Sequence, residues 1–327
     1  MNKSTLRLAT ALLSVAILPA TQAYAHVTSA SGGGSNGPVF TDSPQTLAKG
    51  KAAATVTYQR FDLDAFSDEF LEDVALAGFE EVHNTDVIQI PSFSLSYGLT
   101  DRLEIGANIP LISRRGISEG ELEAPGEAEI EVLGNSFGFG DITISAQYHA
   151  ITQNHSFADV ALRFGVKVPT GQTDELDQEG DRFETEFQPG SGSVDFSFGG
   201  VIGKDYGPWA INASAEYTLA TTGSQDTNLG DTVELGAAVS YGWQFGGGRS
   251  LTLAGELLFQ DQEQEIVGEE ADINSGGTQL FIAPSLRYSF DESWGIFGGI
   301  AFPIVEDLNG IQNDTDFRLT TGVSVSF

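Results

Sequence analysis

The side chains best able to do chemistry in this chain are not gathered in one motif but recur on the polar side of short alternating stretches. They are Glu104, Asp141, Asp159, Arg163, Lys167, Asp195, Glu216, Glu234, Glu256, Arg287 and Arg318. Acids and bases facing one another across a common interior would set a transverse field and a narrow polar path, the chemistry of solute selection. The same groups could instead brace a wall through internal salt bridges. Catalytic alternatives are thinner. Of His26, His83, His149 and His155, only His83, in an acid-rich connection, offers a base for a hydrolase at an outer rim. Gly32-Gly33-Gly34 lacks the strand-to-helix setting and lysine of a phosphate loop, and residues 177–181, DQEGD, lack the spacing and closing Glu of a calcium loop. Without cysteine there is no thiolate site. No cofactor, no metal site and no enzymatic activity are expected.

Positioning these groups requires strands, because their spacing is two. Leu103, Ile105, Ala107, Ile109 and Leu111 alternate with Glu104, Gly106, Asn108 and Pro110. Val160, Leu162, Phe164, Val166 and Val168 oppose Asp159, Arg163, Gly165 and Lys167, and Val233, Leu235, Ala237, Val239 and Tyr241 oppose Glu234, Gly236 and Ser240. The closing segment FRLTTGVSVSF repeats the pattern from Phe317 to Phe327. About 12 such strands can be counted, each near the 9–11 residues of a tilted membrane strand. The connections alternate. Short turns such as residues 99–102 and 205–208 are followed by long ones, at roughly 63–86, 114–139, 170–193, 221–231, 263–278 and 305–316. Unequal connections on the two sides distinguish an outer-membrane barrel from a soluble sandwich. The fold class is therefore all-β, an antiparallel transmembrane β-barrel with short periplasmic turns and long acidic extracellular loops.

Tyr97, Tyr148, Trp209, Tyr241, Trp243, Tyr288, Trp294 and Phe327 fall on the apolar side beside the short turns, the placement of an aromatic girdle at one membrane interface. The net charge of −31 disfavours nucleic acid as a partner. Most of the acid excess lies in the long connections, where it could concentrate cations, meet lipopolysaccharide through divalent ions, or stay solvated. Lys3 and Arg7 before an apolar run, closed by Ala23-Tyr24-Ala25, predict a cleaved export signal over 1–25. Residues 26–50 are expected as a periplasmic leader, with a short plug at the barrel mouth as the alternative, and 51–327 as the barrel. In the first long connection, Ser67 to Gly78 reads as a capped helix whose Phe70 and Val74 share a face, a candidate for an in-folded constriction.

The stretches SYGLTDRLEIGANIPLI (96–112) and GPVFTDSPQTLAKGKAAATVTYQRFD (37–62) resemble outer-membrane proteins grouped with the phenol meta-degradation pathway, the MetA-type transporter family. The terminal Val-Ser-Phe resembles the signal that the barrel assembly machinery reads on its clients, which makes Phe327 an assembly residue. The family resemblance implies a transport barrel for hydrophobic or aromatic compounds, with no catalytic residues to carry over. Residues and resemblance together lead to one expectation: a monomeric or trimeric channel in the bacterial outer membrane, surrounded by lipid and lipopolysaccharide, that passes a small solute by diffusion. The alternatives are a structural or adhesive barrel whose acidic loops bind ions or partners, and a rim hydrolase that depends on His83.

Overall fold

The computed structural model describes residues 37–79, 82–124 and 126–327, so the export signal expected over 1–25 lies outside the described residues. Twelve antiparallel strands close into a barrel. They are β1 (Ala52–Leu63), β2 (Val87–Thr100), β3 (Leu103–Ala124), β4 in two lengths (Glu127–Phe139 and Ile142–Ile151), β5 (Asp159–Val168), β6 (Asp195–Tyr206), β7 (Trp209–Leu219), β8 (Thr232–Gln244), β9 (Ser250–Gln262), β10 (Gly277–Ser289), β11 (Trp294–Leu308) and β12 (Thr315–Ser326). Closure is made by β1 on β12, with Val56 opposite Val323, and the seam continues where Phe327 N–H donates to the Ala52 carbonyl at 2.9 Å. A closed barrel leaves no open edge, which is what a lipid environment demands of backbone donors and acceptors.

The alternation read from sequence has its physical counterpart in two unlike faces. On β9, Glu256 is 1% exposed and the next residue, Leu257, is 48% exposed. Across the sheet Leu257 is in register with Ala237 and Ile282, so apolar side chains form bands on the outer surface. In water such a surface would aggregate; in a bilayer it is the solvated face. Leu257→Arg, near mid-strand, is therefore expected to destabilise the barrel by about 2–4 kcal/mol. Denaturant unfolding in lipid vesicles measures this, and an unchanged midpoint would place that face away from lipid.

One long connection is corrected. Residues 114–139, expected as a loop, form a hairpin that carries β3 and β4 beyond the other strands, with Gly126 at φ +86° in its tip. The expectation failed because the extension alternates glutamates with small or apolar residues, and Glu119 lies opposite Glu131 and Glu121 opposite Glu129. A strand outside the bilayer needs no apolar band. Below the extension β4 is interrupted at Gly140-Asp141, after which Ile142–Ile151 pairs with both β3 and β5.

Helix α1 (Asp68–Leu76) forms as expected: the Ser67 hydroxyl accepts from the Phe70 N–H at 3.2 Å, and Gly78 at φ +85° ends the turn. Its buried side, Leu71 and Val74, packs with Val82, Phe66, Ile130 and Ile311. All of these belong to the long connections or the hairpin extension. Phe70 is 40% exposed and stacks on Phe66 at 4.7 Å. Of the proposed constriction pair, Val74 is thus buried with Leu71 in an outer-loop cluster, and Phe70 stays exposed against Phe66.

Candidate functional site

The interior is occupied by a different segment. Residues 37–47, expected as part of a periplasmic leader with a plug at the barrel mouth as the alternative, run inside the barrel, and the contacts that hold them come from strands far away in sequence. The Glu256 carboxylate accepts from three successive backbone N–H groups, those of Val39 (2.9 Å), Phe40 (3.1 Å) and Thr41 (2.6 Å), and from the Ser285 hydroxyl. Arg287 donates to the Gly37 and Pro38 carbonyls. Asp42 pairs with Arg163, Gln147 donates to the Ser43 and Gln45 carbonyls, and the Glu104 carboxylate accepts from the Leu47 N–H at 2.8 Å. Gly98 and Gly299 make room: a Cβ on Gly98 would lie 2.3 Å from the Ala48 carbonyl oxygen, and one on Gly299 would lie 2.5 Å from the Phe40 ring. The leader is drawn inward because the wall supplies acceptors and donors for its backbone, which local composition does not reveal.

The sequence-predicted charged residues all lie on the interior side, and the fold gathers them into separate groups. Towards the outer end Lys167 pairs with Asp195 and lies 3.9 Å from Asp141, whose carboxylate also accepts from the Gly171 and Ser191 N–H groups. At mid-height Arg163 lies between Asp42 and Glu216, the latter at 3.6 Å. Towards the short turns His149 Nε2 meets Asp159 at 2.9 Å. Glu256, Arg287 and Glu104 hold the inner segment. Arg318, with Glu234 beside the same cavity, stands apart from these groups: its guanidinium lies 4.0 Å over the Phe281 ring and 5.3 Å from that of Phe61, and it donates to Gln260 and Gln279.

Among the described residues, cavities lie at three levels of the barrel. The outer one is bounded by Arg114, Asp141, Lys167, Glu186 and Ser191. The middle one lies between the inner segment and the wall, among Phe40, Phe61, Phe281, Glu216 and Arg318. The third, near the short turns, is bounded by Ser43, Pro44, Asp159 and Asp205. Of the eight aromatic residues expected at the short-turn interface, Tyr97, Tyr148, Trp209, Trp243, Trp294 and Phe327 are each at least 40% exposed, and Tyr241 and Tyr288 are half-buried. Trp209 meets Tyr241 at 4.8 Å, Tyr241 meets Trp243 at 4.5 Å, and Tyr288 meets Phe290 at 5.0 Å.

Outside the bilayer the electrostatics are set by carboxylate crowding. Burial, then the Glu121 hydrogen bond and the neighbouring Glu119 and Glu179 charges, push Glu131 up to about 7. A carboxyl held above its ordinary value binds its proton more tightly folded than unfolded. Its contribution to hairpin stability is complete below about 4.5 and lost as pH rises through about 7. Amide exchange in residues 117–133 is therefore expected to be faster at pH 8 than at pH 5 after correction for intrinsic rates, and equal protection would refute it. His83 shifts for another reason. Burial pulls it down, but hydrogen bonds to Glu119 and Glu186 outweigh that and hold it well above the ordinary imidazole value.

The middle cavity could have been suspected only through Phe61 and Arg318; Phe40 lies in the supposed leader, and its meeting with Phe281 is set by the barrel's closure. Among solved structures, the COG4313 outer membrane channel from Pseudomonas putida F1 shares the fold, with 17% identity over 86% of this chain and 97% of that one and a TM-score of 0.56. The CymD monoaromatic hydrocarbon channel (9% identity, 86% and 89% covered, TM-score 0.46) and the TodX deltaS2S3 mutant monoaromatic hydrocarbon channel (10%, 86% and 92%, 0.48) are more distant in shape. No curated protein matches the chain. The model of the family described as "Putative MetA-pathway of phenol degradation" matches residues 74–304, more than half of the chain, and the protein belongs to that family.

Proposed function

We propose that this outer-membrane barrel is a channel for the passive uptake of a small aromatic solute, and that the middle cavity is its binding station. The observation that carries the reading is that Phe40, Phe61 and Phe281 border one cavity beside the Arg318 guanidinium. Aromatic faces take a ring by stacking, and a guanidinium offers directed donors to a hydroxyl or carboxylate on that ring. Arg318 Nε is buried and has no hydrogen-bond partner among the described residues, a deficit that a polar substituent would satisfy. The family's description, which names phenol degradation, agrees in solute class. The charged groups above and below would select against large or hydrated solutes by field and by width. Lipid and lipopolysaccharide would surround the outer face, and the β12 lipid face with Phe327 would be the contact for the assembly machinery.

Flux of phenol and of a sugar of similar size into proteoliposomes tests the reading. Phenol is expected to enter faster than by leak, and Phe281→Ala and Arg318→Leu are each expected to reduce that excess several-fold while sugar entry is unchanged. No excess phenol flux, with the barrel folded, would turn the reading to a structural barrel. Equal loss for both solutes would mean that the cavity sets width and not solute class.

A further inference from the structure

At the outer end of the path, where Glu186 also borders the outer cavity, one cluster has the composition of a metal site. His83, Glu184 and Glu186 each present a ligand atom, and those atoms lie within 4.8 Å of one another. The ring is placed by the two-residue strand His83–Asn84, which pairs with β3 so that His83 is in register with Glu119. Its two nitrogens face acids on opposite edges: Nε2 lies 2.8 Å from Glu119 and 4.0 Å from Glu184, and Nδ1 lies 3.0 Å from Glu186. The Phe187 ring meets the imidazole edge-on at 4.9 Å and is itself packed with Phe183 and Ile117, which fixes the height of the site. Arg114, the nearby cation, directs its Nη1 to the Phe187 and Gln188 carbonyls. Three carboxylates therefore surround one imidazole.

We propose that His83, Glu184 and Glu186 bind one divalent transition-metal ion, with zinc as the best match, at the outer mouth. Imidazole with carboxylates suits zinc and its neighbours, whereas calcium and magnesium take all-oxygen sets. Nδ1, on the Glu186 edge, ligates, and Nε2 donates to Glu119, the arrangement by which an outer carboxylate orients a metal-bound histidine. Bonds of about 2.0–2.2 Å require the donors to close in. Glu184, 4.0 Å from Nε2 and with its side chain 59% exposed, has to swing towards the Nδ1 edge to do so. Since the ligands come from the first long connection and from the one between β5 and β6, the ion would staple two loops together over the hairpin extension.

The test uses the mature barrel refolded in detergent, with zinc alone as the probe in competition with a chromophoric chelator. One saturable zinc site per chain is expected, with calcium failing to compete. Glu186→Gln and His83→Asn are expected to weaken it by tenfold or more, and Glu119→Gln by about 10–100-fold. Glu184→Gln, at an exposed position, keeps the test valid if a buried variant misfolds, and folding of each is checked by heat-modified gel mobility. Zinc is also expected to slow proteolysis within residues 169–194 in the parent and not in Glu184→Gln. No saturable binding, affinity unchanged in Glu184→Gln, or equal competition by calcium would each overturn the proposal and leave only an acidic surface.

Discussion

Deletion of residues 37–47, with residues 1–36 retained, is expected to raise single-channel conductance several-fold and to abolish the preference for phenol over sugar. The segment fills the interior between Glu104, Glu256 and Arg287 and brings Phe40 to the middle cavity. A barrel of about 12 strands emptied of it lies between the side-chain-filled and the openly aqueous sizes. Ordering an inner strand of chain costs about 1–2 kcal/mol per residue. The hydrogen bonds to the Glu256 carboxylate, at about 1.5–3 kcal/mol each, are thus a large share of what holds it. Glu256→Leu removes the acceptor from three N–H groups at once and should give much of the same rise without deletion. Gly299→Val, which drives a side chain into the Phe40 ring, should approach it from the opposite wall. If conductance is unchanged in the deletion, the segment does not set the width of the path.

Arg163→Met is expected to be the most destabilising of the interior substitutions, by about 3–5 kcal/mol, the cost of leaving buried charge uncompensated. Arg163 and Asp42 have side chains 7% and 3% exposed, and Glu216 shares the guanidinium. The charge left on Asp42 would be stranded on the inner segment, so the effect should appear both as a lower unfolding midpoint and as a less steady current. Adding Asp42→Asn to Arg163→Met should recover part of the stability, because the double variant no longer buries the charge. Additive losses in the double variant would show that the pair is not energetically coupled.

These results depend on features of unequal legibility. The strands, their number and their lipid faces follow from local alternation: Leu257 outside and Glu256 inside are adjacent residues, and a period of two separates them wherever the strand pairs. The rule weakened at Glu119, Glu121, Glu129 and Glu131, where the strand leaves the bilayer and no apolar face is required. It was silent on the metal cluster, whose histidine and glutamates lie about a hundred residues apart and meet only after loops pack on the hairpin.

By itself, the order of side chains determined the barrel, the two-faced strands and the placing of groups such as Lys167 and Arg318 on the polar face, because each rests on neighbours one or two residues away. Only the tertiary structure decided that residues 37–47 enter the barrel, that Phe40 packs with Phe281 and that both border a cavity with Phe61. It alone decided, too, that α1 packs among the outer loops. The reason is physical. The partners of Val39, Phe40 and Thr41 on Glu256 are more than 200 residues away. Nothing in a local pattern states which backbone donors a distant carboxylate will find once twelve strands have closed around them.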